Sequence, residues 1–163
     1  MIFSDVITHK LLGDIYLYRA GGKVLEVSLN EPGRYEFESS PGELAQDFPE
    51  LYHYLENYGN VEIPPFTHDI LDLSALTPFY KKVYETLFYV PYGTLITYRG
   101  LSLKAGYGNA YRAVGSAMRK NRLLLLLPCH RVVASDSLGG FVSGMDTKLT
   151  LLDMEGIDYS HLL

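Results

Sequence analysis

The stretch LLLLLPCHRVV, residues 123–133, restricts the fold more than any other part of this 163-residue chain. Five consecutive leucines predict a strand buried in the core, because such a run offers no polar face to water. Pro128 ends the run, and the next residues, Cys129, His130 and Arg131, carry a thiol, an imidazole and a guanidinium. The expected strand therefore delivers three chemically active side chains to one place.

Cys129 is the only cysteine in the chain, so it can form no internal disulfide and no zinc site built from several thiols. A lone buried cysteine is more often a small apolar side chain than a nucleophile. Catalysis is favoured here by the adjacent base His130, by the strand end and by the basic surroundings, which are expected to lower the pKa of the thiol. Because adjacent strand residues point to opposite faces, we expect a water to connect Cys129 with His130.

Charge divides the chain into two halves. Residues 1–75 contain four basic and thirteen acidic side chains, whereas residues 76–163 contain ten basic and six acidic ones. Between Thr86 and Ser135 there are seven basic residues and no acidic residue. Such a stretch suits a phosphate backbone, although a basic surface whose counter-charges lie elsewhere in the fold is an open alternative. No signal peptide or membrane-spanning run is visible, which indicates a soluble, intracellular protein.

The first half has the alternating pattern of a small antiparallel sheet. Two strands, residues 15–20 and 23–29, flank Gly21-Gly22, a hairpin signal because glycine accepts the positive φ of such turns. A turn at residues 30–33 and another extended piece follow. Apolar residues at helical spacing then predict one helix that ends near Gly59. These residues are Leu44, Phe48, Leu51, Tyr52 and Leu55. We expect a sheet covered by a helix, and a domain boundary at residues 73–76.

The second half is predicted to be helical. Thr77 and Pro78 are suited to the start of a helix that runs to about Tyr89. Two further helices, residues 98–105 and 110–121, flank the turn GYGN, in which Asn109 is expected to cap the second helix. This arrangement is a helix-turn-helix pattern. Asp146 is expected to cap a last helix that ends at Gly156.

The second helix of that pattern is bare, in the sense that one of its sides carries only small side chains. Its small residues leave one side nearly flat, while three basic residues carry charge. The small residues are Ala110, Ala113, Gly115, Ser116 and Ala117, and the basic ones are Arg112, Arg119 and Lys120. A bare helix can approach another backbone closely, and that backbone could belong to a neighbouring helix or to DNA. The acid-free surroundings favour DNA.

With these motifs in place, the chain resembles the O6-alkylguanine-DNA alkyltransferases, also called methylated-DNA–protein-cysteine methyltransferases. The resemblance rests on PCHRVV, preceded by RAVGSAMRKN and followed by GGFVSGMDTKLTLLDMEG, and it covers about half of the chain. It implies an α+β fold that begins with a ribonuclease H-like sheet-and-helix domain, residues 1–75. A mostly helical domain with a helix-turn-helix (winged-helix-like) arrangement, residues 76–163, would then bind DNA and transfer the alkyl group.

The resemblance also implies a role for each matching residue. Cys129 would accept the alkyl group, His130 would deprotonate the thiol through a water, and Glu155 would orient that imidazole. Tyr98 would hydrogen bond the departing base. Arg112 would be a finger that fills the space left in the duplex when the damaged nucleotide is rotated out.

Further residues are assigned on the same basis. Asn121 would brace the turn before the active-site strand, and Arg131 would be a buried structural arginine. The other DNA contacts are assigned to Ala110, Tyr111, Gly115, Ser116 and Arg119, and the substrate contacts to Pro128, Phe141, Val142 and Ser143. After Gly139-Gly140 the family commonly has a tyrosine, a serine and two glycines, so this chain lacks two hydroxyls there. The range of adducts is therefore expected to differ.

Together these assignments imply DNA repair by single-turnover transfer of an alkyl group from O6-alkylguanine, and from O4-alkylthymine, to Cys129. The transfer is irreversible because a thioether offers water no carbonyl to attack. No metal and no cofactor is expected, and the protein is expected to be a cytoplasmic monomer that acts on double-stranded DNA containing alkylated bases and binds no membrane. Two rivals stay open: a non-catalytic lesion-recognition DNA-binding protein of the same fold, and a transcription regulator in which Cys129 is merely buried.

Overall fold

A computed structural model describes residues 2–31, 38–39, 43–60 and 62–163 of the chain. It is a mixed α+β structure that divides into two compact units. The first unit runs to Asp72 and also includes Arg122–Leu126, and the second comprises Leu73–Asn121 and Leu127–Leu163. None of the helices in the described ranges is long and apolar enough to cross a membrane.

The first unit is built on a four-stranded sheet. Its strands are β1 (Phe3–His9), β2 (Gly13–Ala20), β3 (Lys23–Ser28) and β4 (Glu38–Ser39), in the order β3-β2-β1-β4. The predicted hairpin of β2 and β3 is confirmed, and Gly21 and Gly22 at its turn have φ values of 55° and 77°. Strand β1, which pairs antiparallel with β2 and parallel with β4, was not predicted.

The reason that the pattern missed β1 lies in the residues it buries. Its inward face carries Asp5, Ile7 and His9, whereas the apolar Val6 is exposed. Asp5 accepts hydrogen bonds from the Arg19 guanidinium and from a backbone N–H, and His9 is bound by three backbone groups. Because these polar side chains are satisfied inside the unit, the apolar alternation that identifies a strand is absent.

The single helix predicted from the spacing of Leu44 to Leu55, with its end near Gly59, is two helices, α1 (Glu43–Asp47) and α2 (Pro49–Glu56). The break lies at Phe48, whose φ of −137° is not helical. A residue before proline avoids the helical conformation because the proline ring clashes with it, so Pro49 starts a new helix rather than continuing the first. The predicted turn and extended piece after β3 lie largely on residues 32–37, outside the described part of the chain.

The leucine run is buried, as expected, but it is not a strand. Each of residues 123–127 is 4% exposed or less. Only Leu123 forms an isolated bridge, to Val27 of β3, and residues 124–126 make a turn in which Leu125 has a φ of 68°. The prediction was wrong because an apolar run specifies burial and not backbone conformation, and no alternation was available to decide between the two.

The second unit contains four helices: α3 (Pro78–Phe88), α4 (Tyr98–Lys104), α5 (Tyr111–Arg119) and α6 (Met145–Met154). Their existence was predicted, and the Thr77 hydroxyl caps α3 by accepting from Tyr80 N–H at 3.3 Å. The unit also has a two-stranded parallel sheet of β5 (Ile96–Thr97) and β6 (Val132–Val133), which was not predicted because two-residue strands carry no periodic signal.

Two predicted caps are wrong. Helix α5 begins after Ala110, and the Ala110 N–H donates to the Ser102 hydroxyl at 3.0 Å, while Asn109 is exposed. Helix α6 begins after Gly144, whose φ of 89° suits glycine alone, and Asp146 lies within its first turn. The expected end of α6 at Gly156, with a φ of 66°, is confirmed.

Candidate active site

Cys129 lies at the start of a single 3-10 turn, Cys129–Arg131, rather than at a strand end. The turn closes with a hydrogen bond from Arg131 N–H to the Pro128 carbonyl at 3.0 Å. In such a turn successive side chains point in different directions, so the thiol, the imidazole and the guanidinium diverge. Strand β6 follows immediately and contacts α4, while the turn itself contacts α6.

The thiol is buried and held by an amide. The side-chain amide of Asn121 donates to Cys129 Sγ at 3.1 Å and to the Leu127 carbonyl at 3.0 Å. Burial raises the pKa of Cys129 to about 11, although the hydrogen bond from Asn121 and the charge of Lys148 act in the opposite direction. The expected lowering of this pKa was wrong, because Cys129 is only 4% exposed and burial outweighs the basic surroundings.

His130, Arg131 and Glu155 form a buried network behind the thiol. The imidazole Nε2 lies 2.6 Å from Glu155 Oε1, and the Arg131 guanidinium donates to both carboxylate oxygens, at 2.8 and 2.9 Å. Arg131 also donates to the Val90 carbonyl, and the Gly93 N–H donates to Glu155. The three side chains are thereby held together by Glu155, directly after α6, and by backbone groups of the turn after α3.

The charges of this network follow from its hydrogen bonds. Burial raises the pKa of Glu155, but the bonds from His130 and Arg131 outweigh it and bring that pKa down to about 2. Burial also lowers the pKa of His130, so the imidazole is neutral near neutral pH. An ionised carboxylate can only accept, so Nε2 carries the ring proton and Nδ1 is the basic nitrogen.

Tyr98, the first residue of α4, is packed against a glycine. A methyl group on Gly139, whose φ is 67°, would lie 2.7 Å from the Tyr98 hydroxyl oxygen. Burial raises the pKa of Tyr98, while a hydrogen bond with the backbone of Gly140 lowers it in part. The hydroxyl therefore keeps its proton at neutral pH and is available as a donor.

A cavity of about 450 Å³ joins these groups. Its walls come from α5, from the loop between β6 and α6, and from the two reactive side chains. The lining residues are Arg112, Gly115, Met118 and Arg119 from α5, Gly139, Gly140, Phe141 and Val142 from the loop, and Tyr98 and Cys129. This volume is in the usual range for small-molecule sites, so a nucleobase with an alkyl group can be accommodated.

Helix α5 presents its small residues to two different surroundings. A methyl group on Gly115 would meet nothing within 4 Å, whereas the Ser116 hydroxyl lies 3.2 Å from that of Tyr80 and the Ala117 carbonyl accepts from Tyr84. Ser116 and Ala117 are thus explained by packing on α3. No neighbouring helix covers the surface at Gly115, which faces the cavity.

Most of the predicted site residues are brought together, but not all of them line the cavity. Arg112 is exposed and lines the cavity, whereas the exposed Tyr111 and the partly buried Ala110, at the start of α5, do not. Pro128 is buried and Ser143 accepts from Thr147 through its carbonyl, and neither is among the lining residues. Among the described residues, no group of three or more His, Cys, Asp or Glu side chains could hold a metal ion.

Four residues near the thiol were not predicted from the sequence. Met118 and the pair Gly139-Gly140 line the cavity, and Lys148 of α6 is fully buried beside it. Met118 lies in the middle of α5 like any other core residue, so no pattern distinguishes it. A lysine in a helix is usually exposed, so only the structure reveals Lys148.

Comparison with known proteins gives a consistent result. Residues 78–157 match the family model of the 6-O-methylguanine DNA methyltransferase DNA-binding domain. A methylated-DNA–protein-cysteine methyltransferase of Methanosarcina barkeri is 38% identical over 109 residues, which cover 66% of this chain and 68% of that protein. The enzyme of the same description from Metallosphaera sedula is 38% identical over 109 residues, covering 67% and 68%.

Solved structures resemble the chain over nearly its whole length. Mycobacterium tuberculosis OGT in complex with DNA has a TM-score of 0.78 at 27% identity, covering 94% of this chain and 93% of that one. The O6-methylguanine-DNA methyltransferase of Pyrococcus kodakaraensis has a TM-score of 0.66 at 27% identity, covering 96% and 100%. The mixed α+β fold of this chain, with a small sheet and helices, therefore matches those structures.

Proposed function

Because this chain belongs to the methylated-DNA–protein-cysteine methyltransferase family, we propose that it repairs double-stranded DNA by moving the alkyl group of O6-alkylguanine onto Cys129. O4-alkylthymine is proposed as a second substrate. The observation that carries the proposal is the cavity in which the Cys129 thiol and the Tyr98 hydroxyl meet, beside the His130–Glu155 pair.

In the proposed reaction, the sulfur attacks the alkyl carbon while the bond from that carbon to the guanine oxygen breaks. The electron pair of the broken bond passes to the base, which needs a proton donor to leave. Tyr98 supports this role because its raised pKa keeps the hydroxyl protonated. A thiol with a pKa of about 11 needs a base, and neutral His130, oriented by Glu155, accepts the proton through a bridging water.

The same chemistry limits the protein to one turnover. The product is a thioether at Cys129, and its carbon–sulfur bonds offer no carbonyl or disulfide for water or a thiol to attack. No second cysteine exists in the chain to accept the alkyl group in turn. Each molecule is therefore consumed by the repair of one base.

We propose that α5 binds the duplex, with Arg112 entering the gap left by the rotated nucleotide. Support comes from the exposed Arg112 and Arg119 at the cavity and from the uncovered surface at Gly115. Residues 76–163, with a winged-helix-like arrangement, are proposed as the DNA-binding domain of a monomer. Residues 1–75 are proposed to form the ribonuclease H-like domain; the change of compact unit between Asp72 and Leu73 supports this division.

Mass spectrometry tests the proposal directly. The protein is incubated with a duplex oligonucleotide that carries one O6-methylguanine, and the peptide containing Cys129 is then weighed. We expect it to gain one CH2, and we expect Cys129→Ala to gain nothing while still binding the duplex, because phosphate contacts supply the affinity. Undiminished demethylation by Cys129→Ala would contradict the mechanism, and binding without transfer by the wild type would favour a lesion-recognition protein.

Arg112→Ala separates recognition from chemistry. We expect it to slow repair in duplex DNA but to leave the reaction with free O6-benzylguanine nearly unchanged, because only the duplex has a gap to fill. The measurement is the rate of transfer to Cys129 from each substrate. Equal losses on both substrates would show that Arg112 serves the cavity rather than the duplex.

A further inference from the structure

Lys148, in the second turn of α6, is 0% exposed and its ammonium group contacts no carboxylate in the part of the chain that the structure describes. It donates instead to three backbone carbonyls: Val132 at 2.8 Å, Leu138 at 2.5 Å and Gly140 at 3.2 Å. An ammonium group has three protons and no acceptor, so the three bonds match its capacity. Lys148 is therefore an interior residue whose hydrogen-bonding capacity is fully used by the fold.

The three carbonyls belong to two segments whose relative position matters for the proposed transfer. Val132 lies three residues after Cys129, in β6. Leu138 and Gly140 flank Gly139, the residue packed against the Tyr98 hydroxyl, and Gly139 and Gly140 line the cavity. The ammonium group thus joins the segment that follows the thiol to the wall that holds the proton donor.

We propose that Lys148 is a positioning residue for alkyl transfer: its ammonium group holds residues 138–140 against β6, so that the cavity wall and Tyr98 keep their places relative to the Cys129 sulfur. The inference rests on the proposed function, because it gives that wall the task of receiving the alkylated base. A neutral lysine has two donors and a lone pair, so it would release one of the carbonyls and repel it.

The surroundings indicate the pH at which the release occurs. Burial lowers the pKa of Lys148 to about 8, although the charge of an ionised Cys129 acts in the opposite direction. The titratable groups that face it from the neighbouring turn are Cys129 and His130. On its own helix Asp146 and Asp153 are exposed, and Glu155, directly after the helix, is bound to His130 and Arg131. In the folded protein the Lys148 ammonium group therefore loses its proton as the pH rises through about 8.

Two reagents separate positioning from the reactivity of the thiol. Free O6-benzylguanine needs the cavity wall and Tyr98, whereas the smaller iodoacetamide needs access to the thiolate but no proton donor, because iodide leaves without one. The ratio of their rate constants with the wild type cancels the ionisation of Cys129, which is common to both. We expect this ratio to be constant up to about pH 7 and to fall as the pH rises through the pKa of Lys148, about 8. A ratio that stays flat to about pH 9 would overturn the proposal.

Substitution gives a second, independent measurement. Lys148→Met is expected to slow the reaction with O6-benzylguanine by about 100-fold, the usual consequence of misplacing reacting groups by about 1 Å, and to change the iodoacetamide rate far less. Its ratio should also be independent of pH, and Lys82→Met, at an exposed lysine of α3, should behave as the wild type. Equal losses with both reagents would assign Lys148 an electrostatic effect on the thiol instead. No transfer from O6-methylguanine in a duplex oligonucleotide to the wild type would overturn the proposed function itself.

Discussion

Replacing Glu155 by glutamine tests how strongly the network behind the thiol holds the second unit together. The carboxylate is bound by His130, Arg131 and the Gly93 N–H. Against the opposing effect of burial, the bonds from His130 and Arg131 bring its pKa from an ordinary 4.5 to about 2. Because a tenfold change in acidity corresponds to about 1.4 kcal/mol, the ionised carboxylate stabilises the folded state by about 3 kcal/mol.

A separate consideration gives a similar magnitude. In Glu155→Gln the Arg131 guanidinium stays buried and charged, but its counter-charge is gone. Removing one partner of a buried ion pair typically costs about 3–5 kcal/mol, because the remaining charge is not compensated. A domain is stable by only about 5–15 kcal/mol, so the variant should fold but unfold at a clearly lower denaturant concentration.

The dependence on pH identifies the carboxylate as the source of the loss. A group whose pKa is lower in the folded state stabilises the protein above its unfolded pKa, here about 4.5, and the contribution is lost as the pH falls towards about 2. Urea unfolding of the wild type and of Glu155→Gln should differ by about 3 kcal/mol at neutral pH, and by less than half of that at about pH 3. Asp136→Asn, at an exposed carboxylate, is the control and should follow the wild type throughout.

Two outcomes would refute this reasoning. A difference that does not change between neutral pH and about pH 3 would show that the glutamine disturbs packing rather than charge. A second variant, Glu155→Gln with Arg131→Met, removes the uncompensated charge and should regain part of the lost stability. If instead the two substitutions add, the carboxylate and the guanidinium are not coupled as the 2.8 Å contact indicates.

Two further changes probe the cavity. Gly139→Ala should slow transfer from O6-benzylguanine, because the new methyl group would lie 2.7 Å from the Tyr98 hydroxyl oxygen. Gly140→Ala should have a smaller effect, because a methyl group there meets nothing within 4 Å. Equal rates for the two variants would contradict the close contact at Gly139. Methylation of Cys129 should destabilise the protein by about 1–3 kcal/mol, because the methyl group has to fit beside the Asn121 amide, which lies 3.1 Å from the sulfur. The measurement is the melting temperature of the methylated and the unmodified protein, and an unchanged midpoint would mean that the methyl group fits without strain.

The sequence predicted the helices of the second unit and the β2–β3 hairpin because both depend on local rules. Apolar spacing and the Thr77 cap act within one turn of α3, and Gly21-Gly22 determines its own turn. Strand β1 escaped prediction because Asp5 and His9 are buried on partners distant in the chain. The leucine run was misassigned for the same reason, since contact with β3 and the turn at Leu125 decide its conformation.

The chemistry of the site was only partly readable. The motif located the thiol, and the resemblance suggested the partners of His130, but the pKa of Cys129 depends on how completely the fold excludes water from it. The number of basic residues along the chain predicted the wrong direction for the pKa shift of Cys129, because those side chains are mostly exposed while the thiol is buried. Lys148 gave no signal at all, because its three acceptors are backbone carbonyls that any sequence possesses.

Asn121 connects the thiol to the helix proposed to bind DNA. Its backbone N–H donates to Met118 near the end of α5, and its side chain donates to Cys129 Sγ and the Leu127 carbonyl. An alkyl group on the sulfur needs space beside an amide that lies only 3.1 Å away, so that amide must move or lose its bond. Because the same residue ends the turn after α5, which carries Arg112, strain at the sulfur reaches the DNA-binding face through a single side chain. Alkylation is thereby expected to weaken DNA binding as well as stability.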